Sequence, residues 1–192
     1  MQLFLVLNKK ELLNYAKKGS LLEEHPNPKI NGVEAPTGSL GHGLPIGCGI
    51  ALAAKIKKYK FRTFVLLGDG ECNEGSVWEA AMAAPNFKLG NLYAIIDKNN
   101  FQQTGKNKEI MDTSDLIKKW SSFGWDTVEL DGHNLENLYD YFKAPKSEEK
   151  PKAIIANTLK GKGFSFSENN NDWHHAVLSK AMYEKAMKEI KN

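Results

Sequence analysis

Asp69 and Asn99 stand thirty positions apart, in the frames Gly68-Asp69-Gly70 and Asp97-Lys98-Asn99-Asn100. Together they offer two hard oxygen donors of the kind that Mg2+ or Ca2+ takes, with a phosphate completing the shell. The cation matters energetically. An unpaired carboxylate about 4 Å from a phosphate oxygen is repelled by roughly 4 kcal/mol at an effective dielectric near 20. A bridging divalent ion turns that repulsion into attraction. Gly, Asp and Asn are also ordinary strand-to-loop turn residues, so neither frame alone says much; their order along the chain favours the metal site.

That order is strand, Gly-Asp-Gly, helix, strand, Asn-Asn. An apolar run over 61–67 ends at the first frame and another over 92–96 ends at the second. The Ala-rich stretch 77–84 predicts a helix that stops at Pro85. Strand, helix, strand over residues 61–97 is a βαβ unit, whose parallel strands point their carboxyl ends the same way. Neighbouring strands would bring Asp69 and Asn99 out side by side, at the edge where open α/β sheets bind ligands. A second glycine-rich element, Gly38-Ser39-Leu40-Gly41-His42-Gly43, precedes a helix over 44–58. Its glycines would let backbone amides approach a ligand, and the helix would aim its positive end there. It matches neither the P-loop nor the dinucleotide fingerprint, and a tight packing turn explains it equally well. The small residues of the helix predict close packing on a sheet or on another subunit.

Elsewhere, residues 9–18 predict a short polar helix closed by Gly19, and 20–37 a Pro-containing loop. After a polar loop over 99–112 come a helix over 114–123, a strand over 125–130, a turn at 131–134, a helix over 135–142 and a strand over 153–158. A Gly- and Asn-rich loop over 160–171 leads to a last helix over 176–190. It carries Leu178, Met182, Ala186 and Ile190 at four-residue spacing. Alternating strands and helices argue for an α/β fold, a mainly parallel sheet with helices on both faces.

A chain of 192 residues suits a single domain over 1–192 with its own core. A net charge of +3, scattered, gives no footprint for nucleic acid. Cys48 and Cys72 have no metal-type spacing and read as core or helix-entry fillers, which suits a reducing cytoplasm. The apolar start over 1–7 is too short to span a bilayer, and its lysines follow the run, the wrong order for a secretory leader. It reads instead as a chain beginning in the middle of a buried element, with no membrane association expected.

The frames Gly32-Val33-Glu34-Ala35-Pro36-Thr37-Gly38-Ser39-Leu40-Gly41-His42-Gly43, Gly68-Asp69-Gly70-Glu71-Cys72-Asn73-Glu74-Gly75 and Asp97-Lys98-Asn99-Asn100 resemble the amino-terminal half of a transketolase. The version resembled is the bacterial or archaeal type split into two polypeptides, from about residue 8 to the end. The resemblance implies thiamine diphosphate as cofactor, with Mg2+ or Ca2+. It implies metal ligation by the side chains of Asp69 and Asn99 and by the backbone carbonyl of Phe101. Gly70 would touch the diphosphate, and Gly38, Ser39 and Leu40 would line the cofactor rings. His25 would face the reacting carbon and bond substrate hydroxyls. His174 would sit near the diphosphate and help proton movement. Glu74 matches an interface glutamate with no assigned step, His42 reads as helix-entry packing and His133 as a turn residue.

The implied reaction moves a two-carbon ketol unit from a ketose phosphate to an aldose phosphate. The glutamate that activates the cofactor's pyrimidine would belong to a companion carboxy-terminal subunit, giving a heterotetramer with each site at an interface. Three positions depart from the family pattern. Glu24 and His175 stand where glycines are usual, and Pro36 replaces Ser or Thr. The family's earlier Gly-His motif has no match, so a truncated chain or an alternative start is expected, with less than full activity. Two other readings stand beside this one: a subunit of another thiamine-diphosphate enzyme such as a deoxyxylulose-phosphate synthase, and a non-catalytic homologue.

Overall fold

The computed structural model describes residues 9–145 and 147–190. Along the chain the elements run α1 (Lys9–Leu12), α2 (Gly43–Ile56), β1 (Thr63–Gly68), α3 (Gly75–Asn86), β2 (Leu92–Lys98), β3 (Phe101–Gln102), β4 (Gly105–Lys106), α4 (Asn107–Ile110), α5 (Leu116–Ser122), β5 (Asp126–Asp131), α6 (Leu135–Lys143), β6 (Lys152–Asn157) and α7 (Lys180–Glu189). Four strands pair in parallel in the order β1-β2-β6-β5, while β3 and β4 form a small antiparallel hairpin. The chain passes from β2 to the far edge at β5 and returns to insert β6 between them. The expected α/β architecture is present. The apolar start over 1–7 lies outside the described residues.

Alternation along the strands divides the sheet into two unequal faces. Val65 and Leu67 of β1, Leu92, Ala94 and Ile96 of β2, and Ala153 and Ile155 of β6 point into one core with α2, α3 and α5. Burying each of its large aliphatic side chains contributes about 1.5–3 kcal/mol relative to exposure. Helix α2 sits close enough to β1 that a Cβ on Gly47 would lie 2.4 Å from Val65 Cγ2. Gly47, Ala51 and Ala54 of the helix are buried, while Gly49 and Ala53 are exposed beside Ile46 and Ile50. On the other face α6 brings Phe142 edge-on to Phe64, ring centroids 5.6 Å apart, yet Leu66 stays 71% exposed. Helices lie on both faces, but the second is thinly covered.

Three local expectations are corrected. Helix α3 runs through Pro85 to Asn86. A proline there lacks only the N–H that would have reached Ala81, and the Trp125 indole donates to the Ala81 carbonyl instead, at 2.8 Å. Helix α1 ends at Leu12, well short of residue 18; Ala16 takes φ +57°, incompatible with a continuing helix, and its N–H bonds Leu22 O. Helix α7 starts only at Lys180, capped by the Ser179 hydroxyl, so Leu178 precedes it. Of the apolar stripe only Ala186 is buried, and Ile190 is 63% exposed.

Candidate functional site

The register of β1 and β2 sets Gly68 level with Asp97, and the Asp69 N–H extends the ladder by donating to Asp97 O at 3.1 Å. Asp69 and Asn99 thus leave the sheet from adjacent strands at its carboxyl edge. Asp69 is 1% exposed. Its Oδ1 accepts the Gly70 N–H at 2.9 Å and its Oδ2 the Asn100 N–H at 2.7 Å. Asn100 achieves this in the left-handed region, φ +67°, which asparagine tolerates. Burial pushes the Asp69 carboxyl above its usual range, against the downward pull of hydrogen bonds from Asn100, Asn107 and Gly70, and the Asp97 charge adds to the rise.

Asn99 is oriented from both ends. Its Oδ1 accepts the Phe101 N–H at 3.0 Å and its Nδ2 donates to Asp97 Oδ2 at 3.3 Å, while the Thr158 hydroxyl donates to Asp97 Oδ1. Among the described residues buried Asp69 is bonded by backbone amides and pairs with no Lys, Arg or His, so its charge is uncompensated by a cation. Among the described residues no cluster of three His, Cys, Asp or Glu could hold a metal, so a soft, zinc-like centre has no donor set. The Asp69 carboxylate and the Asn99 amide oxygen are hard donors, of the kind that Mg2+ or Ca2+ takes.

Around this frame the loops are tied by backbone contacts. Gly70 packs so closely on β3 that a Cβ there would lie 2.7 Å from Gln102 Cβ. The loop after β2, expected to be irregular, is the β3–β4 hairpin followed by α4. It is closed where the Asn107 N–H donates to Asn100 O at 3.0 Å. Asn107 itself is buried, with Nδ2 3.5 Å from Thr113 Oγ1 and Oδ1 without a partner. The glycine loop 38–43 reaches the same place. The Gly41 N–H donates to Glu71 Oε1 at 2.9 Å and the Ser76 hydroxyl to Gly41 O at 2.9 Å. Gly38, Ser39 and Leu40 lie exposed above it, Leu40 at 59%.

The histidines arrive from two other loops. The His25 ring lies flush on Gly38, where a Cβ would meet its Cγ at 2.6 Å. Glu24 Oε1 is 3.7 Å from His175 Nε2, which draws the 24–25 loop towards 174–175. A 3-10 turn, Asn171–His174, is anchored by Asn171 Nδ2 donating to Gln103 O at 3.0 Å. His174 Nδ1 lies 3.1 Å from Lys160 Nζ. An ammonium can only donate, so Nδ1 accepts and the neutral ring carries its proton on Nε2. Burial first, then the Lys160 and His175 charges, lower the His174 pKa and favour that neutral form.

Other expectations fare unevenly. Glu74 is exposed at the start of α3. His42 is exposed, not packed; its Nδ1 lies 3.1 Å from Leu40 O and 3.3 Å from Ser39 Oγ. His133 does more than fill a turn, since its Nε2 accepts the Leu159 N–H at 2.8 Å. Burial pushes the Cys72 thiol up to about 12 and that of Cys48 to about 11, which favours the protonated thiol at both. Sequence reasoning missed Glu71, Asp97, Asn107 and Lys160. Asp97 carried a signal, standing two positions before Asn99 at a strand end. Nothing local announced the bond from the Gly41 N–H to Glu71, because the two lie thirty positions apart.

Residues 4–191 match the family described as transketolase, thiamine diphosphate binding domain. The chain is 44% identical to one of the subunits of the apulose-4-phosphate transketolase of Phocaeicola vulgatus over 173 residues, 90% of this chain and 62% of that relative. It is also 44% identical to the counterpart of the same name from Actinobacillus succinogenes over 182 residues, 94% of this chain and 66% of the relative. Human transketolase is 42% identical over 181 residues, which cover 94% of this chain and 29% of the enzyme. The chain therefore spans less than two thirds of the curated relatives it matches. Among solved structures, Campylobacter jejuni transketolase superposes with a TM-score of 0.87 at 30% identity, over 95% of this chain and 30% of that one. The chain belongs to the transketolase family, within its thiamine-diphosphate-binding domain.

Proposed function

We propose that the chain is the diphosphate-binding subunit of a two-polypeptide transketolase, acting on sugar phosphates in the cytoplasm. The observation that carries this reading is the uncompensated, 1% exposed Asp69 carboxylate beside Asn99 at the end of two parallel strands. Asp69 and Asn99, with the Phe101 carbonyl, would hold Mg2+ or Ca2+ against the diphosphate of thiamine diphosphate. Gly70 offers close backbone approach, and Gly38, Ser39 and Leu40 would line the rings. When bound, the cofactor supplies the carbanion chemistry that moves a two-carbon ketol unit.

This chain's residues would orient and hold charge. His25, flush on Gly38, would face the ketose and bond its hydroxyls. His174, neutral with its proton on Nε2, would donate near the diphosphate and take part in proton movement. The pyrimidine-binding subunit would complete each site in a heterotetramer. Both bacterial relatives are themselves named as one subunit of a larger enzyme, which supports a second polypeptide. Among the described residues no helix is long and apolar enough to cross a membrane, and both cysteines are free thiols.

The test is reconstitution. The chain is mixed with a candidate pyrimidine-domain subunit, thiamine diphosphate and Mg2+, and ketol transfer is assayed from xylulose 5-phosphate and from apulose 4-phosphate. Transfer from either donor that requires both polypeptides is expected. Failure with both donors, in a mixture that binds cofactor, would point to a different thiamine-diphosphate reaction.

A further inference from the structure

We propose that Glu71 is a positioning residue that sets the distance between the two ends of the cofactor site, an inference resting on the thiamine-diphosphate reading above. Its two carboxylate oxygens are shared between two loops. Oε1 accepts the Gly41 N–H at 2.9 Å and Oε2 the Gly68 N–H at 3.1 Å. Gly68 is the last residue of β1, fixed in register against Asp97, and it immediately precedes the expected metal ligand. Gly41 is the corner of the loop whose preceding residues, 38–40, are expected at the cofactor rings.

Two further contacts leave that corner no other place to sit. The Ser76 hydroxyl holds the Gly41 carbonyl at 2.9 Å. At φ +80°, a Cβ on Gly41 would come within 2.5 Å of Ser76 Oγ and 2.6 Å of Glu74 Cβ. One carboxylate from the turn that carries the diphosphate frame and one hydroxyl from the first turn of α3 thus hold the ring loop in place. Only a carboxylate offers an acceptor to both N–H groups. A glutamine would keep one bond and set its own NH2 against the other donor.

Two probes separate the ends of the site. Inorganic pyrophosphate with Mg2+ uses only the diphosphate frame, whereas thiamine diphosphate with Mg2+ needs the ring loop at the right height as well. Calorimetry on the chain reconstituted with the pyrimidine-domain subunit should show Glu71→Ala weakening thiamine diphosphate at least tenfold and pyrophosphate less than twofold, with Glu71→Gln between wild type and Ala. Without ligand, amide hydrogen exchange over 38–42 should quicken about tenfold in Glu71→Ala while exchange over 92–98 stays as in wild type, which also shows that the variant is folded. Equal weakening of both probes would mean that Glu71 only props up the frame, and would overturn the proposal. So would unchanged thiamine diphosphate affinity, or unchanged exchange over 38–42. A wild-type two-subunit complex that binds neither probe overturns the functional reading and this one with it. A wild-type complex that binds both, with Glu71→Ala behaving identically, overturns this one alone.

Discussion

The two sides of the candidate site are held by different kinds of contact. On the diphosphate side, carboxylates of Asp69 and Glu71 accept backbone N–H groups from Gly70, Asn100, Gly41 and Gly68; three of these donors are a strand end or the turns that directly leave a strand, and Gly41 belongs to the glycine loop ahead of α2. On the histidine side, the contacts of His174 and His175 join side-chain tips. Glu24 and His175 pair at 3.7 Å with side chains 69% and 82% exposed, and Lys160 reaches His174 from a loop. Charge-assisted bonds to backbone are short and hard to displace, whereas exposed ion pairs contribute little and are screened by salt. The first side is therefore organised before anything binds. The second is held by exposed side-chain contacts that solvent screens.

Asp69→Ala attacks the organised side and should have the largest effect. Affinity for thiamine diphosphate with Mg2+ should fall by about 100-fold or more, roughly 3 kcal/mol, by calorimetry. The stability of the unliganded chain should change far less, by about 1 kcal/mol in a denaturant titration. Removing a buried charge beside Asp97 offsets the loss of acceptors for the Gly70 and Asn100 N–H groups. A loss of several kcal/mol in stability instead would make Asp69 a structural residue, and the contrast between the two sides would collapse.

The same contrast marks what could be read from the sequence. The frame was legible because parallel strands advertise themselves as apolar runs, and both runs end on oxygen-bearing residues, Asp69 and Asn99. The pairing of β1 with β2 is what a short crossover through one helix makes expected. The glycine loop's place beside that frame was legible only through family resemblance, since it rests on Glu71 meeting Gly41 across thirty positions. Nothing local foretold the β3–β4 hairpin, a two-residue pairing too short to show alternation. Pro85 misled for a physical reason: a proline removes one N–H, and a distant indole, Trp125, filled the gap. The last helix misled because the four-residue stripe ran past the Ser179 cap, which decides where the helix begins.

His25→Ala tests the pliable side and should leave binding nearly intact. His25 is exposed and touches the site by lying on Gly38, without a hydrogen bond to the diphosphate frame. Affinity for the cofactor should stay within about threefold, while turnover in the reconstituted enzyme falls by about 100-fold, the usual scale for a lost polar contact to reacting groups. Should affinity fall as far as in Asp69→Ala, His25 would belong to the organised side.

Lys160→Met should have the smallest effect and the most specific sign. His174 is held below its ordinary pKa of 6.5 by burial first and then by the Lys160 and His175 charges. Without the Lys160 ammonium the pKa should rise towards 6.5 but not reach it, because burial persists; an NMR titration of the ring reads this directly. A histidine whose folded pKa is depressed binds its proton more weakly in the folded chain than in the unfolded one. Its contribution is thus present above about pH 6.5 and is lost as the pH falls towards the lower folded value. Lys160→Met should accordingly lose less stability on acidification than wild type, and its ring should no longer be pinned to the Nε2–H tautomer. If the titration does not move, burial alone keeps His174 neutral, and the pliable side is set by the packing of Asn171–His174 rather than by the lysine beside it.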